Sequence, residues 1–249
     1  MNKNINVYDL GVLDYKTALN FQEKKLQEII DIKRTNRNEG SSIETPNYFL
    51  FVEHPPVITL GKSGQEKNLL LTKEELERKK IQYFNTNRGG DITFHGHGQI
   101  VGYPVIDLEN FYTDINRYLR TLEEIVILTL NYFKISSQRS SGETGVWLET
   151  NSPNSRKICA IGVKTSRWVT MHGFALNVDT DLRYYNYIVP CGIKGKGITS
   201  INQEIKKNVS INEVKEKILE NLKKTFQANL IFSTWKAIYN YVFFLWANN

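Results

Sequence analysis

The sequence predicts an α/β domain, and three observations carry that reading. Short apolar runs rich in β-branched and aromatic residues have the length of strands; Tyr48-Phe-Leu-Phe-Val-Glu53 is the clearest. Among them lie longer segments in which apolar residues recur three and four apart, the spacing of an amphipathic helix. The third observation is size. At 249 residues the chain is long enough for one large domain and short for two. The expected division is a single domain over residues 1–233 followed by an aromatic tail over 234–249. A composition of 41% hydrophobic and 23% charged residues is that of a soluble globular protein, with no polar stretch long enough for disorder.

Asp14 is placed to cap a helix whose buried stripe is Tyr15, Ala18, Leu19, Gln22, Leu26, Ile29 and Ile30. The polar segment from Arg34 to Pro46 reads as a loop, and the nearly unbroken apolar run after it predicts a central strand. His54-Pro55-Pro56 stops that strand, because proline cannot donate to a ladder, and Val57 to Leu60 resumes as a strand ending at Gly61. Thr72 and Glu75 form a capping box ahead of Leu76, so a short helix to Lys80 and a strand from Ile81 to Asn85 follow. From Phe111 onward, Ile115, Tyr118, Leu119, Leu122, Ile125, Val126, Leu130 and Phe133 define a helical face broad enough to cover a sheet.

Thr144 to Leu148 and Lys157 to Lys164 read as two strands joined by the polar turn Asn151 to Ser155. Alternation within the second puts Lys157 and Cys159 on one face and Lys164 on the other, unless a bulge at Gly162 intervenes. A strand from Val169 to Val178 comes next. Beyond Cys191 the chain turns through Gly192, Gly195 and Gly197 to a helix with Val214, Ile218, Leu222 and Phe226 on its apolar face, opened by a second capping box, Ser210 with Glu213. The tail from Trp235 to Trp246 is too short and interrupted to span a bilayer, which needs about 20 apolar residues. It is expected to pack on the domain, with self-association and contact with a membrane surface as alternatives.

The functional signal is concentrated between Arg88 and Leu108, RGGDITFHGHGQIVGYPVIDL. Five of the sixteen glycines and two of the four histidines fall there. The stretch reads as strand, glycine turn, strand, with Arg88, His95 and Gln99 available for polar contacts where a ligand approaches the backbone. An ordinary glycine-rich hairpin with solvated polar residues is the alternative. Pro190-Cys191-Gly192 places a thiol in a loop of small residues, whereas Cys159, between Ile158 and Ala160, reads as filler. His172 is either a hydrogen-bonded structural histidine or a substrate contact. No Cys-x-x-Cys or His-rich spacing points to a metal, and no Walker loop points to ATP. The net charge of +6 admits anionic partners, but Lys and Arg are scattered and form no nucleic-acid-binding motif. The opening MNKNINVYDLG lacks the apolar core of a signal peptide; with two cysteines, the expectation is free thiols in a reducing cytoplasm.

Four separated motifs, RGGDITFHGHGQ from Arg88, KICAIG from Lys157, HGFALN from His172 and PCG from Pro190, stand in the order in which the octanoyltransferases of lipoate biosynthesis carry their own. The sequence therefore resembles the lipoyl(octanoyl) transferases, over roughly residues 7 to 230, and EHPPVITLG from Glu53 is similar too. One departure is His97, where that family usually has proline. The resemblance implies a mixed β-sheet core flanked by helices, as in the catalytic domains of the biotin/lipoate protein ligase superfamily. It implies Cys191 and Lys157 as catalytic residues. Substrate would be bound by Arg88, Gly89, Gly90, Asp91, Ile92, Thr93, Phe94 and His95, by Ala160, Ile161 and Gly162, and by Gly173, Phe174 and Ala175.

The implied reaction is transfer of an octanoyl group from acyl carrier protein, on whose phosphopantetheine it arrives, to a lysine of a lipoyl domain. Cys191 would hold the acyl group as a thioester. Acceptors would be the lipoyl domains of 2-oxoacid dehydrogenases and the H protein of glycine cleavage; no nucleic acid, membrane-spanning segment, ATP or metal is expected. Lys157 answers two chemical needs. A thiol of pKa about 8.5 is only ~3% thiolate at pH 7, so a neighbouring ammonium that stabilises the thiolate raises its reactivity. The acceptor amine, of pKa about 10.4, is neutral in roughly one molecule in 2,500, a deficit of ~4.6 kcal/mol unless a base takes its proton. Two competing classes are an ATP-dependent lipoate or biotin ligase, which needs no Pro-Cys-Gly nucleophile, and a non-catalytic acyl-carrier binding module, which gives Cys191 and Lys157 nothing to do.

Overall fold

The computed structural model describes residues 1–189 and 196–232. Pro190, Cys191, Gly192, Gly195 and the aromatic tail lie outside the described residues. Among the described residues, eight strands form a mixed sheet and three more form a small second sheet. The large sheet is built from β1 (Asn4–Val12), β2 (Tyr48–Glu53), β6 (Gln99–Val105), β7 (Val146–Leu148), β8 (Arg156–Ser166), β9 (Val169–Asn177), β10 (Gly197–Ile198) and β11 (Asn229–Phe232). Its order is β10-β8-β9-β6-β2-β1-β11, with β7 also on β8. The small sheet, β4-β3-β5, comprises β3 (Val57–Leu60), β4 (Gln82–Asn85) and β5 (Ile92–His95). No helix among the described residues is long and apolar enough to cross a membrane.

β2 is central, as its apolar run predicts: β1 pairs with it in parallel and β6 antiparallel, and Tyr48 through Val52 are buried. Helices cover both faces. α3 (Ile115–Tyr132) and α5 (Ile211–Phe226) pack on one, in a core that joins Tyr118, Leu122, Ile125 and Ile218 to Phe49, Phe51 and Leu176. Each such fully buried side chain is worth about 1.5–3 kcal/mol relative to exposure. On the other face α1 (Tyr15–Glu39) lays Ala18, Leu26, Ile29 and Ile30 against Leu50, Val101, Val105 and Ala175. Asp14 caps α1, its carboxylate accepting from Thr17 N–H at 2.9 Å.

Several expectations need correction. α1 continues to Glu39 and ends at Gly40, whose φ of 65° stops it, so Arg34 to Glu39 are helical rather than loop; their polarity reflects an exposed last turn. Phe21 belongs to the buried stripe and Leu19 is only partly covered. The capping box of Thr72 with Glu75 is formed at α2 (Lys73–Arg78), but Ser210 makes no side-chain cap at α5; the chain entering that helix is held by Val209 N–H on Asn202 Oδ1 at 2.9 Å. A short helix missed by the periodicity, α4 (Ile201–Ile205), is capped by Ser200. Gly197 lies in β10 rather than in a turn.

The stretch around the glycine turn does consist of strand, turn and strand, but β5 and β6 do not form a hairpin. β5 pairs with β3 in the small sheet while β6 lies between β2 and β9 in the large one. The turn at Gly96 to Gly98 therefore carries the chain from one sheet to the other. That parting opens a space between the two sheets.

Candidate active site

Between the small sheet and the α1-side face of the large sheet lies a cavity of about 660 Å³. Its floor is made by neighbouring strands where side chains are small. Ala160 pairs with Ala175, which pairs with Val101, and Gly162 pairs with Gly173 in the next row. The size is within the usual range for small-molecule sites. Facing this floor are Gly90, Asp91, Ile92, Thr93 and His95 from the RGG stretch and β5, and Tyr15 from the first turn of α1.

The RGG stretch is fastened across the gap. Gly89 N–H donates to Val163 O of β8 at 2.8 Å, and a Cβ on Gly162 would come within 2.7 Å of Gly89 O, so this close approach requires glycine. Arg88 is buried; its guanidinium donates to Thr59 O (2.7 Å), Thr59 Oγ1 (2.9 Å) and Gly89 O (3.0 Å), tying the stretch to β3. Asp91 accepts from Asn68 Nδ2 at 2.6 Å and from Ile92 N–H at 2.7 Å.

Three buried histidines gather along this seam, and burial holds all of them neutral. It pushes His54 down to about 4 and His95 and His172 to about 3. Gln99 does not line the cavity; it orients His95. Its Nε2 donates to Phe94 O (3.2 Å) and Asn177 Oδ1 (2.9 Å), so its Oε1 must accept from His95 Nδ1 at 2.8 Å, leaving His95 Nε2 unprotonated. His172 is hydrogen-bonded, its Nε2 3.0 Å from Asn87 Oδ1, and it lines the cavity.

Of the residues singled out from the sequence, Arg88, Gly90, Asp91, Ile92, Thr93, His95, Lys157, Ala160, Ile161, Gly162, Gly173, Phe174 and Ala175 line the cavity. Gly89 and Phe94 stand behind it, Phe94 stacked on Tyr184 with centroids 4.6 Å apart. Cys191 lies outside the described residues. Cys159 is wholly buried in the core beneath α3, where burial pushes its thiol up. Lys157 and Cys159 therefore do not share surroundings as simple alternation predicts. Lys157 pairs with Trp147 and Cys159 with Val146, so Ile158 is an extra residue and the bulge falls there, not at Gly162.

Lys157 is itself buried, with Nζ 4.5 Å from the centroid of the Trp147 ring. Sequence reasoning missed several wall residues. Tyr15 was legible only as core, and Tyr103, Asn68 and Glu143 gave no signal, because they come from elements that meet only when the two sheets are assembled.

Solved structures of lipoate protein ligases share the fold. A bi-partite lipoate protein ligase from Thermoplasma acidophilum superposes with a TM-score of 0.64 at 16% identity, covering 95% of this chain and 89% of that one. A lipoate-protein ligase A bound with ATP gives 0.65 at 14% identity, covering 95% and 91%. Residues 14–223 match the family described as the lipoyl protein ligase A/B catalytic domain. The octanoyltransferase of Christiangramia forsetii is 57% identical over 92% of this chain and 99% of its own length, and that of Flavobacterium psychrophilum is 57% identical over 93% and 100%. The chain belongs to the octanoyltransferases, acyltransferases within the lipoyl protein ligase A/B catalytic-domain family.

Proposed function

We propose that this protein transfers an octanoyl group from acyl carrier protein to a lysine of lipoyl domains, through a thioester on Cys191. The observation that carries the reading is the cavity itself: a floor of small residues that leaves room for an acyl chain, with Lys157 in its wall. The described residues on either side of Pro190-Cys191-Gly192 are fastened to that wall. Val189 N–H donates to Asn68 O at 2.8 Å, and Lys196 Nζ to Glu143, and both Asn68 and Glu143 line the cavity.

In the first half-reaction the Cys191 thiolate attacks the carbonyl carbon of the donor thioester. The phosphopantetheine sulfur leaves, taking a proton from the Lys157 ammonium. In the second, the acceptor amine attacks the acyl-enzyme, gives a proton to the now neutral Lys157 and displaces the Cys191 thiolate. No nucleotide and no metal enters this sequence.

Intact-mass analysis after mixing with octanoyl carrier protein tests the reading. An octanoyl adduct that hydroxylamine removes is expected without ATP and in the presence of EDTA. Cys191→Ser should lose it. Cys159→Ser should keep it, at a cost of about 1–3 kcal/mol in stability for a buried hydroxyl. An adduct on Cys159 would overturn the assignment, and an absolute need for ATP would favour a ligase.

A further inference from the structure

Beside Lys157 the chain builds a site for an ammonium group. The indole of Trp147 is buried, and two ammonium groups lie over it, Lys157 Nζ at 4.5 Å and Lys196 Nζ at 4.8 Å from the ring centroid. Indole is the aromatic surface that attracts cations most strongly. Glu143 completes the site, its two carboxylate oxygens each accepting from Lys196 Nζ at 2.8 Å. Burial pushes the Glu143 carboxyl up, but hydrogen bonds from Lys196 and Ser140 and the charges of Lys196 and Lys157 outweigh it and hold the group below its ordinary value. The loop is set from beneath, where Gly145 N–H donates to the buried Glu123 Oε1 at 3.0 Å and Arg139 Nε to Glu123 Oε2 at 3.0 Å.

We propose that Glu143 and Trp147 receive the ammonium of the acceptor lysine, and that Lys196 fills the same site until the acceptor displaces it. This rests on the acyl-transfer reading above. An acceptor lysine arrives almost wholly charged at neutral pH, since its pKa is about 10.4. Lys157 is neutral once the acyl-enzyme has formed, and a charged amine that leaves water for this wall needs a counter-charge beside it. Glu143 lines the same cavity as Lys157 and supplies that charge. Its role is binding and positioning. A carboxylate is far too weak a base to deprotonate an alkylammonium, so the ammonium proton goes to Lys157. The second proton, released as the amide forms, leaves on the Cys191 sulfur as the thiol and passes to solvent when the thiolate is restored. Carboxylate and indole together recognise a charged amine, and a neutral nucleophile gains nothing from them.

The test is single-turnover loss of the octanoyl group from the preformed octanoyl-enzyme of the full chain, read by intact mass. A lipoyl-domain acceptor is used in one arm and hydroxylamine, neutral at pH 7, in the other. Glu143→Gln should raise the half-saturating acceptor concentration about tenfold and change the hydroxylamine rate far less, whereas Lys196→Met should lower that concentration about threefold. An unchanged acceptor concentration in Glu143→Gln overturns the proposal, and so does an equal loss in both arms, which marks a structural role. If the wild type forms no octanoyl-enzyme, the acyl-transfer reading fails, and calorimetric binding of N-acetyl-lysine amide decides the ammonium site alone. Affinity lost in Glu143→Gln supports the site, and equal affinity overturns it.

Discussion

Lys157 is given two jobs that require it in opposite charge states. In the proposed reaction it would stabilise the Cys191 thiolate as an ammonium and accept the proton of the attacking lysine as an amine. Arginine imitates the first and, with a pKa above about 12, not the second. Lys157→Ala should therefore raise the pH midpoint for iodoacetamide labelling of Cys191, while Lys157→Arg stays nearer wild type. With preformed acyl-enzyme, Lys157→Arg should transfer slowly at neutral pH and recover as pH rises, because more of the acceptor amine is then neutral. The guanidinium must also fit beside Trp147, so acceptor binding is measured separately. An equal labelling midpoint in wild type and Lys157→Ala would remove the ion-pair role, and normal transfer by Lys157→Arg would remove the base.

At the scale of an element, the Gly96 to Gly98 turn accounts for His97. Gln99 N–H donates to Gly96 O at 3.2 Å and Gly98 has φ of 74°, the pattern of a type II turn with His97 as its first central residue. Proline is favoured at that position. Gly98 is needed where it stands, since a Cβ there would run into the Asp179 carbonyl. The His97 side chain is 61% exposed, with Nδ1 3.0 Å from Glu53 Oε1; such a pair is worth about 0–1 kcal/mol. Proline would recover about 0.4–1 kcal/mol through the unfolded chain. His97→Pro should thus shift the urea midpoint little in either direction and leave acyl transfer intact. Lost acylation with an unshifted midpoint would mean that His97 touches substrate.

For the whole molecule, the seam between the two sheets sets the pH range of stability. His54 follows β2, His95 ends β5 and His172 lies in β9, and each is buried and hydrogen-bonded as a neutral ring. Their folded pKa values, about 4, 3 and 3, lie below the ordinary 6.5. The unfolded chain therefore binds protons that the folded chain refuses as pH falls below 6.5. The stability is fully present above that pH and is lost on acidification, by roughly 1 kcal/mol per histidine for each unit. Urea unfolding followed from pH 7.5 to 5 should show the midpoint fall steeply below pH 6.5. A flat profile would mean that these rings are protonated in the folded protein.

Period and punctuation made much of this legible in the chain alone. The stripe of α1, the face of α3, the centrality of β2 and the cap at Asp14 follow from local spacing, and local spacing survives folding because neighbours along a helix or strand stay neighbours. Small residues marked close backbone approach in the RGG and HGFALN segments, and the family resemblance added KICAIG; the structure brings all three to one cavity. Three things were invisible until distant strands were paired. β5 and β6 separate into different sheets because β3 and β2 claim them, and no pattern within residues 88–108 records that competition. Lys157 parts from Cys159 because β7 meets β8 with one residue to spare, a register set by the partner strand. Glu143 meets Lys196, 53 residues away, through folding alone. Charge complementarity of that kind has no period, so it is decided by packing.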